Sequence, residues 1–136
     1  MNQLTFTVGS DAFLAGDSPH AQYSAIFEDE GETGYFYAVD LERDQLILDA
    51  THIYNVKDVI DRDRQSTASI VWSKEGLRCA LLINDYPHAA FDFTLKRGYC
   101  RTNFPNFPGK TAMGWSQSDH SWSDDAVAWL GNQVVS

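Results

Sequence analysis

The chain has little of what marks a catalytic, metal-binding or membrane protein. Its 136 residues include two cysteines, Cys79 and Cys100. They form no Cys-x-x-Cys pair, and two are too few for a disulfide framework. Reduced thiols and a cytoplasmic location are the expectation. No run approaches the roughly 20 apolar residues of a membrane helix. Residues Met1 to Thr5 have neither the basic start nor the apolar stretch of a secretory signal. The four histidines, His20, His52, His88 and His120, fall in no His-x-x-x-His or His-Glu-x-x-His arrangement, so no metal is expected. A Gly-x-Ser-x-Gly elbow is missing. Gly109-Lys110-Thr111 has the ending of a phosphate loop, but Phe104 stands where its first glycine belongs. No cofactor is expected. There is no internal repeat and no linker, so residues 1–136 read as one domain.

Basic residues are also nearly absent from the first part of the chain. Up to Val56 there are ten acids and a single base, Arg43. From Lys57 onward acids and bases balance at nine each, so the first 56 residues account for the whole formal charge of −9. Such a chain is a poor nucleic-acid binder, because phosphate contacts need Lys and Arg. Acidity of this kind confers solubility, and it also steers a protein towards a basic partner. The densest point is Glu28-Asp29-Glu30-Gly31-Glu32. Calcium would need six or more oxygen ligands in a defined loop, and the alternating Asp-x-Asp-x-Asp-Gly order is absent. A solvated turn and an acidic recognition surface formed by Glu28, Asp29, Glu30 and Glu32 remain.

What is abundant is strand signal. Aromatic residues make up 13% of the chain. Leu4, Phe6 and Val8 alternate with Thr5 and Thr7, and Tyr23, Ala25 and Phe27 form a second alternating set. Tyr35, Tyr37 and Val39 form one alternating face, with Phe36 and Ala38 opposite. Residues 11–21 read as a loop, and Gln45 to Asp49 as a short strand that His52 to Val56 can extend. Lys57 to Gln65 is a charged connection. Ser66 to Ser73, Leu77 to Asn84 and Ala89 to Leu95 form a three-strand unit, with Lys74-Glu75-Gly76 as a hairpin loop. Tyr99 to Asn103 adds one more strand, and Phe104 to Gly114 reads as irregular. The last segment reads as a helix. Ser123 is its N-cap, Asp124 and Asp125 sit in its first turn, and Ala126, Trp129, Leu130 and Val134 share a face. The fold class expected is α+β, a mainly antiparallel β meander with a C-terminal α-helix packed on it.

One cluster carries candidate chemistry. Asn84-Asp85-Tyr86-Pro87-His88 sets a carboxylate near an imidazole at the end of an apolar strand. Cys100 would complete a thiol–imidazole pair if the next hairpin folds back. The same residues are also what a plain turn requires. His120 lies between Trp115 and Trp122, where the tryptophans either form a binding surface or anchor the last helix.

Two stretches, Glu28 to Ala38 and Leu82-Ile83-Asn84-Asp85-Tyr86-Pro87-His88-Ala89-Ala90-Phe91-Asp92-Phe93, occur together with Gly98-Tyr99-Cys100-Arg101-Thr102-Asn103-Phe104-Pro105. As a set they resemble a bacterial family classed as domain of unknown function 2251. The resemblance implies a bacterial cytoplasmic protein of mixed α and β structure. It implies no reaction and assigns no catalytic residue. Three readings of function follow. The first is a non-catalytic protein-binding module with an acidic face, of inhibitor or immunity type, facing a basic protein. The second is a small enzyme using Asp85 and His88 with Cys100. The third is a homodimer joined through a sheet edge or an aromatic patch.

Overall fold

The computed structural model describes residues 2–44, 46–61, 63–102, 115 and 120–133. Nine strands form in chain order: β1 (Asn2–Thr7), β2 (Ala12–Asp17), β3 (Tyr23–Asp29), β4 (Thr33–Asp40), β5 (Leu46–Asn55), β6 (Gln65–Trp72), β7 (Arg78–Ile83), β8 (Tyr86–Asp92) and β9 (Arg97–Cys100). They make two antiparallel sheets. One is five-stranded in the order β1-β6-β7-β8-β9, and the other is four-stranded in the order β2-β3-β4-β5. The sheets face each other, with β1 beside β2 at one edge and β9 beside β5 at the other.

The alternation of apolar residues explains the core. Phe27, Phe36, Ala38 and Leu48 point inward from the small sheet, and Phe6, Ile70, Leu81 and Phe91 from the large one. Phe36 and Phe91 stack across the interface at 4.9 Å between ring centroids, and Tyr23 stacks on Phe93 at 4.3 Å. Such pairs add about 0.5–1.5 kcal/mol each beyond the area they bury. The run Arg78 to Ile83 occupies the middle of its sheet and is buried on both faces, which is why it lacks alternation.

The expected C-terminal α-helix does not form, and the fold is all-β rather than α+β. Ser123 does act as an N-cap, accepting from the Asp125 N–H at 3.3 Å. It opens only a 3-10 turn, Asp124–Val127, followed by a single α-turn, Leu130–Gln133. The stretch is far shorter than the roughly 12–15 residues that sustain a helix on their own, and Gly131 sits within its last turn. Packing holds it in place. Trp122, Ala126, Val127, Trp129 and Leu130 lie on the outer face of the five-stranded sheet, against Val71, Ala80, Leu82, Ala90 and Tyr99. Val134 and the segment Phe104 to Gly114 lie outside the described residues.

Two smaller expectations also change. Residues 12–17, read as loop, form β2, where Gly16 lets the chain pass close to Ile70 and Asn2. The turn before β8 is only Asn84-Asp85, both with positive φ, so Tyr86 and Pro87 already belong to the strand. Gly34 allows a close approach within the small sheet: an added Cβ would stand 2.6 Å from the Tyr54 ring, which lies across it.

Candidate functional site

The charge asymmetry of the sequence becomes a spatial one. Strands β2 to β5 span residues 12–55 and form the whole four-stranded sheet. That sheet with its turns therefore holds nearly all of the uncompensated acid. Cross-strand register sets Phe13 opposite Glu28, Glu28 opposite Tyr35, and Tyr35 opposite His52. A second row runs Ala15, Ile26, Tyr37 and Ala50. Both rows lie on the face away from the core. On this sheet Phe13 is 59% exposed and Ile47 47% exposed. Tyr35 and Tyr37 stack at 5.8 Å. The Tyr37 hydroxyl reaches Glu28 at 3.5 Å, and burial followed by the Glu28 charge pushes its pKa up to about 12.

The four acidic site residues do not act alike. Asp29 is 1% exposed. Its carboxylate accepts from the Gly9 N–H (2.6 Å), the Gly31 N–H (2.8 Å) and the Tyr54 hydroxyl (2.6 Å). Glu30 is exposed but accepts from the N–H groups of Glu32 and Thr33, which closes the turn. Glu28 is half-buried on the sheet face, and Glu32 is exposed. Asp29 and Glu30 thus shape the turn, and Glu28 and Glu32 present charge.

The other candidates separate in space. Asp85 is exposed at the hairpin tip. Cys100 is buried in the core between the sheets. Its thiol lies 3.4 Å from the His52 carbonyl and 3.0 Å from the Thr102 hydroxyl. Both cysteines are free, and burial pushes the Cys79 thiol up, out of the reactive range. His88 lines a cavity. Leu81 pairs with Ala89 and Leu82 with Pro87, so His88 is the extra residue of a β-bulge. A bulge re-aims the side chain it inserts. The cavity, about 580 Å³, opens between β1, β5, β8 and the 59–64 connection, and neither Asp85 nor Cys100 lines it. Burial, and then the Arg101 guanidinium, hold the His88 imidazole below the usual histidine range. Arg101 is itself fixed over the Tyr86 ring at 4.4 Å and the Trp122 ring at 4.0 Å.

Sequence reasoning missed one arrangement altogether. His120 is hydrogen-bonded to Asp49, 71 residues away, and both are buried. Nothing in the spacing of either residue signals this. Among the described residues no group of three or more His, Cys, Asp or Glu is set to hold a metal ion. No helix among them is long and apolar enough to cross a membrane.

Residues 6–130 match the family model DUF2251, described as an uncharacterized protein conserved in bacteria. This chain belongs to the DUF2251 family. A relative in Haemophilus influenzae, described as an uncharacterized protein, is 38% identical over 114 residues, covering 83% of this chain and 69% of the relative. No solved structure matches. The DUF2251 match takes in β2 to β9, the Asp49–His120 pair and the cavity around His88. It supports the bacterial family expected from the sequence and names no reaction.

Proposed function

We propose that this DUF2251 protein is a non-catalytic protein-binding module whose four-stranded sheet presents an acidic, aromatic outer face to a basic protein partner. The observation that carries the reading is the coincidence of charge and topology. The acid-rich segment is the four-stranded sheet, and that sheet exposes Phe13 opposite Glu28 and Ile47 on its other edge strand, β5. Aromatic residues supply affinity at the centre of an interface. A surrounding field of one sign raises association rate and selects a partner of opposite sign. An inhibitor or immunity protein in the cytoplasm, acting on a basic target, is the type of module this face suits. Nucleic acid and membrane surfaces, both anionic, are disfavoured by the same charge.

Capture from a bacterial lysate, run in parallel with Phe13→Ser and Glu28→Lys variants, tests it. The expected result is a basic protein retained at low salt, weakened at high salt and lost with both variants. Equal capture by wild type and variants, or no specific partner at either salt, overturns the proposal. Light scattering that gives a dimer mass, reduced to a monomer by Phe13→Ser, would assign the same face to self-assembly instead.

The enzyme alternative has less support. His88 lines a cavity, but Asp85 and Cys100 are not on its wall, so the grouping of His88 with Asp85 and Cys100 that this reading needs is not assembled there.

A further inference from the structure

The cavity beside His88 is built in a way that a mere surface dent is not. Its volume of about 580 Å³ falls in the range of small-molecule sites, roughly 300–1,000 Å³. One wall is apolar, from Phe6, Ile53 and Ile83, all part of or packed against the central core. The rim adds Ile60, which is 85% exposed, a large apolar side chain left in water at the mouth of an apolar hollow. The polar groups differ in availability. The Tyr54 hydroxyl is committed to Asp29, and the Asn84 carboxamide bonds to the Thr67 N–H and Ser66 hydroxyl. The His88 imidazole and the Arg64 guanidinium make no hydrogen bond among the described residues, and both line the cavity.

We propose that this cavity binds a small amphipathic carboxylate, its apolar body against Phe6, Ile53, Ile83 and Ile60 and its carboxylate on Arg64 and His88. The site lies on a different part of the molecule from the acidic sheet face and does not depend on that face having a partner. Three charged groups decide the sign of the ligand. Arg64 is on the rim, and Arg101 is close enough to His88 to oppose its protonation. Asp61 is the one acid on the lining among the described residues. It is exposed on the connection that also carries Arg64, and its backbone carbonyl accepts from the Arg64 N–H at 3.0 Å. An anion beside His88 relieves the repulsion from Arg101 and takes a charge-assisted hydrogen bond from the guanidinium.

The test compares three probes of one shape: 4-phenylbutyrate, 4-phenylbutanol and 4-phenylbutylamine. Each is titrated into the full chain, and amide and imidazole resonances are followed by NMR. The acid is expected to shift the signals of Phe6, Ile53, Ile83 and His88 and to bind about tenfold more tightly than the alcohol, with the amine weakest. The His88 pKa should rise when the acid is bound. Arg64→Gln, a change at an exposed residue, should remove the advantage of the acid and leave the alcohol unchanged. Ile60→Ser should weaken acid and alcohol alike. The proposal is overturned if the amine binds as tightly as the acid, if Arg64→Gln leaves the preference intact, or if no probe at about 10 mM perturbs the cavity, a concentration at which even weak millimolar binding is detected.

Discussion

The imidazole of His120 sits 2.9 and 3.1 Å from the two carboxylate oxygens of Asp49, with both side chains buried between β5 and the C-terminal segment. The His120 carbonyl also accepts from the Cys100 N–H at 2.8 Å, a backbone bond to the edge strand β9. Together these bonds fasten the C-terminal segment to both sheets. Removing one partner of a buried polar pair leaves the other unsatisfied. Asp49→Ala is therefore expected to cost about 3 kcal/mol, and Asp49→Asn less, since it keeps an acceptor. Urea unfolding measures both. A loss below about 1 kcal/mol for Asp49→Ala would mean that water satisfies His120 instead.

Gly98 makes room for that pair. A Cβ there would stand 2.7 Å from Asp49 Oδ2 and 2.8 Å from the Phe91 ring. Gly98→Ala should destabilise by about 1–3 kcal/mol through overpacking. Its effect should be less than additive with Asp49→Ala, because the truncated side chain frees the space. A double-mutant cycle on unfolding midpoints checks this.

Asp29 and Tyr54 form a second buried link, at 2.6 Å, from the acidic turn to β5. Tyr54→Phe removes one of the described donors to the carboxylate and should cost about 1–2 kcal/mol. The phenols also set an alkaline limit. Burial is the first cause that raises the pKa of both Tyr54 and Tyr37, the latter to about 12. Both groups bind protons more tightly folded than unfolded, where the value is about 10. Their contribution is fully present below about pH 10 and is lost as pH rises through the folded values. Melting temperature should fall between about pH 10 and 12, and Tyr54→Phe with Tyr37→Phe should flatten that decline. An unchanged slope in the double variant would assign the decline to other groups.

His88 works in the opposite direction. Burial and then Arg101 lower its pKa, so the unfolded chain takes up its proton first as pH falls. Stability from this residue is present above about pH 6.5 and is lost as pH drops from there towards the folded value. His88→Gln should flatten the stability profile below about pH 6.5. Arg101→Gln should raise the His88 pKa, read from its imidazole resonances, and loosen the Tyr86 and Trp122 rings that hold the guanidinium. A His88 pKa unmoved by Arg101→Gln would leave burial as the sole cause.

The sequence by itself determined the strands and their faces. Phe36 and Ala38 face inward against Tyr35 and Tyr37 because a period of two puts neighbours on opposite sides of a sheet, and that rule is local. The unalternating run at Leu81 marked a central strand for the same reason. The localisation of charge was legible too, since it needs only counting. Local signals failed where tertiary contacts decide. Ser123 and its two acids have every sign of a helix start, yet the segment ends in short turns because the sheet beneath fixes Trp122 and Trp129. His88 reached a cavity through a bulge that no residue type announces, while Asp85, three positions away, stayed in solvent. Asp49 and His120 met only because the chain returned over β9. A carboxylate and an imidazole that far apart carry no local preference for each other, so only the packing of the two sheets brought them together.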